Sequence, residues 1–204
     1  MIDAPFIDQR GGFPTGCEAV SAVMALWHAG VAITVDQFID QYLPQGQAPA
    51  PDAAGHLTGA DPALAFPGSP RDPAGWGCFA PVIVTALDRA LGEKGPRGAR
   101  VADLSGRALG DIGRYCELTG RPAIVWATIG MAQPPLRVEA TWTTPAGRLV
   151  EWRSPEHALL LVGTDAANYY FNDPLAGPAT PYPTALAQAA FDALGRQALA
   201  IELP

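Results

Sequence analysis

Residues 13–30, FPTGCEAVSAVMALWHAG, place Cys17 where a loop becomes a helix. After the cysteine, apolar side chains recur at helical spacing and a glycine suited to a helix end follows, which predicts a helix over about residues 17–29. A thiol in the first turn of a helix meets the partial positive charge of the backbone there, which favours the thiolate. The stretch therefore predicts a nucleophilic cysteine, provided that the chain also supplies a base.

The rest of the chain predicts helices first and strands afterwards. Further helical patterns cover about residues 34–43, 79–91, 108–118 and 184–194. Strand patterns cover residues 122–129, 137–143, 148–152, 157–163, 168–173 and 197–203. This order indicates an α+β fold, in which a helical first part packs on an antiparallel β-sheet formed by the second part.

A segment rich in proline, glycine, alanine and aspartate spans residues 44–77 and shows no convincing period. Loops longer than about 12–15 residues within a compact domain usually cover a functional site or are poorly ordered. Because we find no repeat and no clean linker, we interpret residues 1–204 as a single domain with an insertion at about 44–77. The insertion is a candidate cover for a cleft.

Composition and charge exclude several classes of protein. The net charge is −7 and the 13 lysines and arginines form no cluster, whereas nucleic-acid binding requires a basic patch. No apolar run reaches the roughly 18 residues of a membrane helix, and the N-terminus lacks the features of a signal peptide. We expect no nucleic-acid or membrane partner, and a cytoplasmic protein, or a secreted one if the chain is a trimmed mature form. The oligomeric state stays open.

The cysteines are too few and too scattered for a disulfide framework, although one Cys17–Cys78 bridge stays open. No C-x-x-C or H-x-x-x-H pair is present, so neither a metal site nor a cofactor is expected. In GWGCFAPVI, Trp76 and Cys78 could line a cleft, or Cys78 could open a buried helix. We favour the structural interpretation of Cys78 because free cysteine is usually buried. Core packing is also expected for Cys116, Trp126 and Trp152.

Only one of the three histidines is suitably placed to serve the thiol. His28 lies on the same helix about 16 Å along the axis from Cys17, so the two side chains cannot touch. His56 lies in the 44–77 segment, where a base lacks a fixed position. His157 opens the apolar strand HALLLVG, so its backbone is anchored while its ring lies at the end of a sheet.

A carboxylate returns to the same end of the sheet on the next strand, NYYFND. A hairpin pairing Gly163 with Asn168 places His157 opposite Pro174, and a slip of one residue makes Asp173 the partner. Asp173, or the asparagine before it, can thus hold the imidazole in one tautomer. The alternative is a strand-end histidine followed by a structural Asp-Pro turn.

An acyl transfer to a cysteine also requires donors for the oxyanion. The backbone N–H of Cys17 and a side-chain amide would supply them. Gln9 lies eight residues upstream, across the loop RGGFPTG, which is able to turn back over the helix start. A solvated loop glutamine is the plain alternative, but the order glutamine, cysteine, histidine, aspartate is more specific than any one member.

Five stretches together carry a resemblance: IDQ…FPTGCEAVSAVM, GWGCFAPVI, IVWATIGM, EHALLLVG and YYFNDP. They resemble the papain-fold cysteine peptidases of family thirty-nine, and more closely their stand-alone bacterial peptidase-like branch, whose better-known relatives cleave bacteriocin leaders after a double glycine. The resemblance implies a papain-like fold with Cys17 as the nucleophile and His157 as the general base. It makes Asp173 the orienting acid and Gln9 the oxyanion donor.

Two departures limit what the resemblance implies about the substrate. The leader-processing relatives are fused to a membrane transporter, whereas this sequence shows no transmembrane or nucleotide-binding segment, and it carries the 44–77 segment. We therefore do not expect double-glycine specificity. The predicted activity is that of a cysteine hydrolase that cleaves a peptide bond or a related amide bond through a thioester intermediate. The expected substrate is a peptide or protein. The alternatives are another acyl transfer, transglutaminase-like or amidase, and a catalytically silent binding module.

Overall fold

The computed structural model describes all 204 residues and contains five α-helices. They are α1 (Cys17–His28), α2 (Val35–Gln41), α3 (Ala80–Lys94), α4 (Leu109–Thr119) and α5 (Thr184–Ala193). The strands in the first half are β1 (Gln45–Gly46), β2 (Ala50–Pro51), β3 (Leu57–Thr58), β4 (Phe66–Pro67) and β5 (Arg100–Asp103). Those in the second half are β6 (Ala123–Thr128), β7 (Arg137–Thr143), β8 (Leu149–Ser154), β9 (Glu156–Thr164), β10 (Asn168–Asp173), β11 (Gly177–Pro183) and β12 (Ala198–Glu202).

The main sheet has six strands in the order β11-β10-β9-β6-β12-β5, with every pair of neighbours antiparallel. Along β9, Ala158, Leu160 and Val162 share a buried cluster with α1, α2 and α3. The alternate residues Leu159 and Leu161 share a second cluster with α4 and α5, as the two-residue period of a strand requires. The predicted α+β fold is confirmed, with helices on both faces of the sheet.

Helix α1 starts at Cys17, as predicted, and is buried along most of its length. A Cβ at Gly16 would lie 2.9 Å from the Cβ of Phe13, so glycine allows the close approach with which the chain enters the helix. One turn farther along, Ser21 Oγ donates a hydrogen bond to the carbonyl oxygen of Ala158 at 3.2 Å. The start of α1 is thereby held against the first residues of β9.

The hairpin between β9 and β10 differs in register from the prediction. Gly163 pairs with Tyr170 and not with Asn168. The turn has the four residues that the prediction implies but lies one residue later in the chain, at 165–168. Asp165 Oδ1 accepts two backbone N–H groups there, both at 2.8 Å, which stabilises the turn at this position. A β-bulge after Tyr170 then shifts the pairing by one residue, and Asp173 still arrives beside the histidine at the start of β9.

Segment 44–77 contains regular structure that the sequence patterns did not predict. Strands β1 and β4 pair with each other, and β2 and β3 join β7 and β8 in a separate four-stranded sheet. Arg71 holds the segment to α2 through Asp36 and Asp40, at 2.6 and 2.8 Å. Each strand of the segment is two residues long, which is too short to produce a period. Strands β7 and β8 therefore lie outside the main sheet, contrary to the prediction.

Two strands of the main sheet, β5 and β11, also lacked a recognisable pattern. Strand β11 reads GPATPYP, a composition typical of turns. It forms one edge of the sheet, where residues without a backbone N–H are tolerated. Its three prolines are therefore compatible with a strand at this one place in the sheet.

All three cysteines are buried and unpaired, so the Cys17–Cys78 bridge that the sequence left open is absent. Cys116, Trp126 and Trp152 are buried as expected. None of the helices is both long enough and apolar enough to cross a membrane.

Candidate active site

Cys17 is the first residue of α1, and its side chain is only 6% exposed. Its Sγ donates a hydrogen bond to Glu18 Oε2 at 3.2 Å, and the backbone of Ala158 also bonds to the sulfur. A carboxylate oxygen of Glu156 completes a cluster in which the sulfur and both carboxylates offer atoms within 4.8 Å of one another. Residues on either side of His157 therefore contact the thiol.

The two carboxyl groups beside the thiol are held differently. Glu18 Oε1 accepts the backbone N–H of Cys78 at 2.5 Å, whereas Glu156 Oε1 is buried without a hydrogen-bond partner. Together with Cys17 they form the one group of side chains with the spacing to hold a metal ion. Neither glutamate was identified from the sequence, although Glu18 directly follows the predicted nucleophile and Glu156 directly precedes the predicted base.

Burial, together with these carboxyl groups, reverses the direction of the expected shift in the thiol pKa. Burial raises the pKa of Glu18 to about 7, and burial together with Glu18 raises the pKa of Glu156 well above its ordinary value. Burial, then the charges of Glu18 and Glu156, raises the pKa of the Cys17 thiol well above 9. The helix start predicted a thiolate; in this structure low exposure and neighbouring negative charge outweigh that effect.

Removing the charge of Glu18 is expected to make Cys17 more reactive at pH 8, where a carboxyl with a pKa of about 7 is mostly ionised. In Glu18→Gln the pKa of the thiol falls, and a fall of one unit raises the thiolate fraction, and with it the alkylation rate at pH 8, about tenfold. The rate is measured with iodoacetamide and peptide mass mapping. The matched control is Glu117→Gln, an exposed position on α4. Equal rates in wild type and Glu18→Gln would show that Glu18 does not keep the thiol protonated.

His157 and Asp173 form a buried hydrogen-bonded pair. The distance from His157 Nε2 to Asp173 Oδ1 is 2.8 Å, and both side chains are at most 2% exposed. Tyr182 donates to the other carboxylate oxygen at 2.6 Å, and the N–H of Leu175 donates to Oδ1 at 2.9 Å. Burial by itself would raise the pKa of Asp173, but the hydrogen bond and charge of His157, with these two donors, lower it overall.

Both interpretations of the Asp-Pro sequence hold in the structure, since Asp173 binds the imidazole and also accepts the N–H of Leu175 in the turn that follows. The neighbouring Asn172 points elsewhere and donates to the carbonyl oxygens of Ala4 and Pro5. Tyr182 was not identified from the sequence. It lies on the proline-rich strand β11, and neither spacing nor composition indicated its contact with Asp173.

Gln9 is buried and adjoins the Asp-Pro turn. Its backbone N–H donates to the carbonyl oxygen of Pro174 at 3.1 Å. Its side-chain Nε2 donates to the carbonyl oxygen of Pro14 at 3.2 Å, and Oε1 is buried without a partner. The structure thus ties Gln9 to the loop that leads into α1 and to the residue after Asp173, without a hydrogen bond to Cys17.

No hydrogen bond joins Cys17 to His157 in this structure, because the thiol is directed at Glu18. The Nδ1 atom of His157 has no hydrogen-bond partner. The other two histidines take no part in the cluster. His28 contacts the carbonyl oxygens of Asp3 and Gly120, and His56 is 81% exposed in the 44–77 segment.

A groove of about 390 Å³ has Glu156 in its lining. The last residues of the 44–77 segment form one side of it, and β7 and β8 contribute to the other. Cys78 is fully buried, in agreement with its structural interpretation. Trp76 is half-buried and lines the groove.

The fold is that of C39-like peptidases. A crystal structure from Bacillus anthracis, described as a C39-like peptidase, matches with a TM-score of 0.84 at 21% sequence identity, covering 100% of this chain and 96% of that one. The model of the Peptidase C39 like family matches residues 1–199, and the chain belongs to that family. No curated protein matches it significantly.

Proposed function

We propose that this protein is a cysteine peptidase in which Cys17 is the nucleophile and His157 the general base. Asp173 orients the imidazole, and Gln9 with the backbone N–H of Cys17 stabilises the oxyanion. Membership of a peptidase-like family supports a peptide or protein as the substrate.

The observation that carries this proposal is the buried pair of His157 and Asp173. A carboxylate that binds Nε2–H leaves the lone pair of Nδ1 available to accept a proton. Glu156 and Ala158, the residues on either side of the histidine, both lie beside Cys17. The base therefore lies on the stretch of β9 that packs against the nucleophile.

In the proposed mechanism the thiol first turns from Glu18 toward His157. Catalytic hydrogen bonds are often long or misaligned before substrate binds and tighten afterwards. Nδ1 then takes the thiol proton while the sulfur attacks the carbonyl carbon, and the oxyanion receives hydrogen bonds from Cys17 and Gln9. His157 returns the proton to the leaving amine, and a water molecule, activated by the same imidazole, hydrolyses the thioester.

A second candidate function is a binding module without turnover. The observation in its favour is the hydrogen bond from Cys17 Sγ to Glu18, together with the raised pKa of the thiol, because a neutral thiol is a weak nucleophile. If the thiol stays directed at Glu18 when a peptide binds, the groove can hold the peptide but no acyl-enzyme forms.

Peptide-library profiling of wild type beside Cys17→Ala separates the two candidates. The peptidase proposal expects cleavage by wild type, none by the variant, and a mass increase on Cys17 after treatment with an epoxide inhibitor of thiol enzymes. Cys78→Ala is the matched control, since it removes a buried thiol outside the proposed mechanism. Binding without cleavage in both proteins, and no labelling of Cys17, would favour the binding module.

Replacing Gln9 is expected to slow turnover and leave substrate binding nearly unchanged. Loss of one oxyanion donor lowers kcat about 10²–10³-fold, so Gln9→Ala should show that loss with little change in KM. Gln9→Glu keeps the shape of the side chain without the amide donor and should show a similar defect. A loss confined to KM would instead assign Gln9 to substrate binding.

A further inference from the structure

We propose that the groove beside Cys17 binds a basic side chain, lysine or arginine, of a peptide substrate close to the scissile bond. This inference rests on the proposed peptidase function and adds the class of substrate to it. Three features of the groove support it: an aromatic wall, two acidic residues without a firm basic partner, and a lining residue, Glu156, that also belongs to the thiol cluster.

The aromatic wall is centred on Trp76. Its ring centroid lies 5.2 Å from that of Trp142 and 6.0 Å from that of Trp152, while Phe79 stacks on Trp152 at 5.7 Å. Trp142 and Trp152 are buried, whereas Trp76 is only half-buried and borders the groove. The indole is therefore fixed by its neighbours before any ligand binds. A fixed indole face attracts ammonium and guanidinium groups.

Two acidic residues, Glu139 and Glu156, line the groove together with Trp76 and Trp152. The basic group paired with Glu139 is Arg137, at 3.9 Å with both side chains exposed, a geometry that contributes little. No lysine or arginine forms an ion pair with Glu156, and its Oε1 is buried without a partner. Burial, and then the charge of the neighbouring Glu18, raise the pKa of Glu156, and no cation offsets either effect. A bound lysine or arginine side chain supplies the positive charge that these acidic groups lack, and it supplies a hydrogen-bond donor to Glu156 Oε1.

Glu156 links the groove to the thiol. It lines the groove and places a carboxylate oxygen within 4.8 Å of Cys17 Sγ. Gly77 permits this packing, since a Cβ there would lie 2.6 Å from Glu18 Oε1 and 2.9 Å from both Glu156 Oε2 and the Trp152 ring. A lysine or arginine side chain is long enough to extend from an acyl group at the sulfur to this carboxylate.

Peptide binding to the Cys17→Ala variant tests the inference without requiring turnover. The probes are acetylated tetrapeptide amides of alanine that carry lysine or its neutral isostere norleucine, and arginine or citrulline, at each position in turn. Affinities are measured by calorimetry in the presence of EDTA, so that no trace metal occupies the cluster. At one position at least, the lysine and arginine peptides are expected to bind about tenfold more tightly than their neutral counterparts.

Substitutions in the groove identify the residues responsible. In the Cys17→Ala background, Glu156→Gln and Trp76→Leu should each reduce the preference for the charged peptides severalfold, whereas Glu117→Gln on α4 should leave it unchanged. Equal affinity for charged and neutral peptides overturns the proposal, as does a preference that survives both groove substitutions. Because binding is the readout, either outcome is distinct from an absence of cleavage in wild type, which would count against the peptidase function alone.

Discussion

His157→Ala is expected to lower kcat about 10⁶-fold, the loss seen when a base that acts as a unit with its nucleophile is removed. The same substitution leaves the Asp173 carboxylate buried without its partner, which costs about 3–5 kcal/mol of unfolding free energy. Activity is measured on a peptide from the library, and stability by urea denaturation.

His157→Gln separates the catalytic loss from the structural one. Its amide can still donate to Asp173 but cannot act as a base, so the variant should be as inactive as His157→Ala and clearly more stable. Appreciable turnover in His157→Gln would remove this histidine from the mechanism and direct attention to Glu156, the other titratable group on β9 that contacts the thiol.

Asp173→Ala is expected to lower kcat about 10⁴-fold, because the imidazole loses the acceptor that sets its tautomer and orientation. It also leaves the Tyr182 hydroxyl without its acceptor. Asp173→Asn should retain more activity, since an amide oxygen can still accept from the imidazole. Tyr182→Phe is the matched control, because it removes one hydrogen bond to the carboxylate without touching the histidine. Equal activity in wild type and Asp173→Ala would exclude Asp173 from the site.

The pH dependence of stability should follow the same carboxylate. The folded state holds the pKa of Asp173 below its ordinary value, so its contribution is fully present above about pH 4 and is lost as pH falls through the folded-state pKa. The difference in unfolding free energy between wild type and Asp173→Asn should therefore be largest near pH 7 and shrink below about pH 4. A difference that is constant from pH 7 to pH 3 would contradict this assignment of charge.

Long periodic elements were predictable because their residues repeat a burial pattern. The predicted ranges 137–143 and 168–173 coincide with β7 and β10, and the helix predicted from residue 17 begins there. Strand β11 and the two-residue strands of 44–77 were not predictable, because tertiary pairing alone makes them strands. The sequences of β7 and β8 do not reveal that these strands pair with that segment, since the alternation of side chains along a strand does not identify its partner.

In the candidate site too, some contacts could be predicted from the sequence and others could not. The contact between His157 and Asp173 could be anticipated, because adjacent strands of one hairpin return to the same end of a sheet. Glu18 lies in the first turn of α1 and Glu156 at the start of β9. Their proximity is a long-range contact that no local sequence pattern predicts. For that reason the direction of the thiol pKa was predicted wrongly from the helix start alone, as burial and the two charges became visible only in three dimensions.

The proline-rich edge of the main sheet bears on how a substrate can be held. Pro181 and Pro183 on β11 have no N–H, so the outward side of this strand lacks donors at those positions. An extended peptide cannot add there as a seventh strand through a regular ladder of backbone hydrogen bonds, and neither can the edge of another molecule. Self-association through this edge is thereby disfavoured.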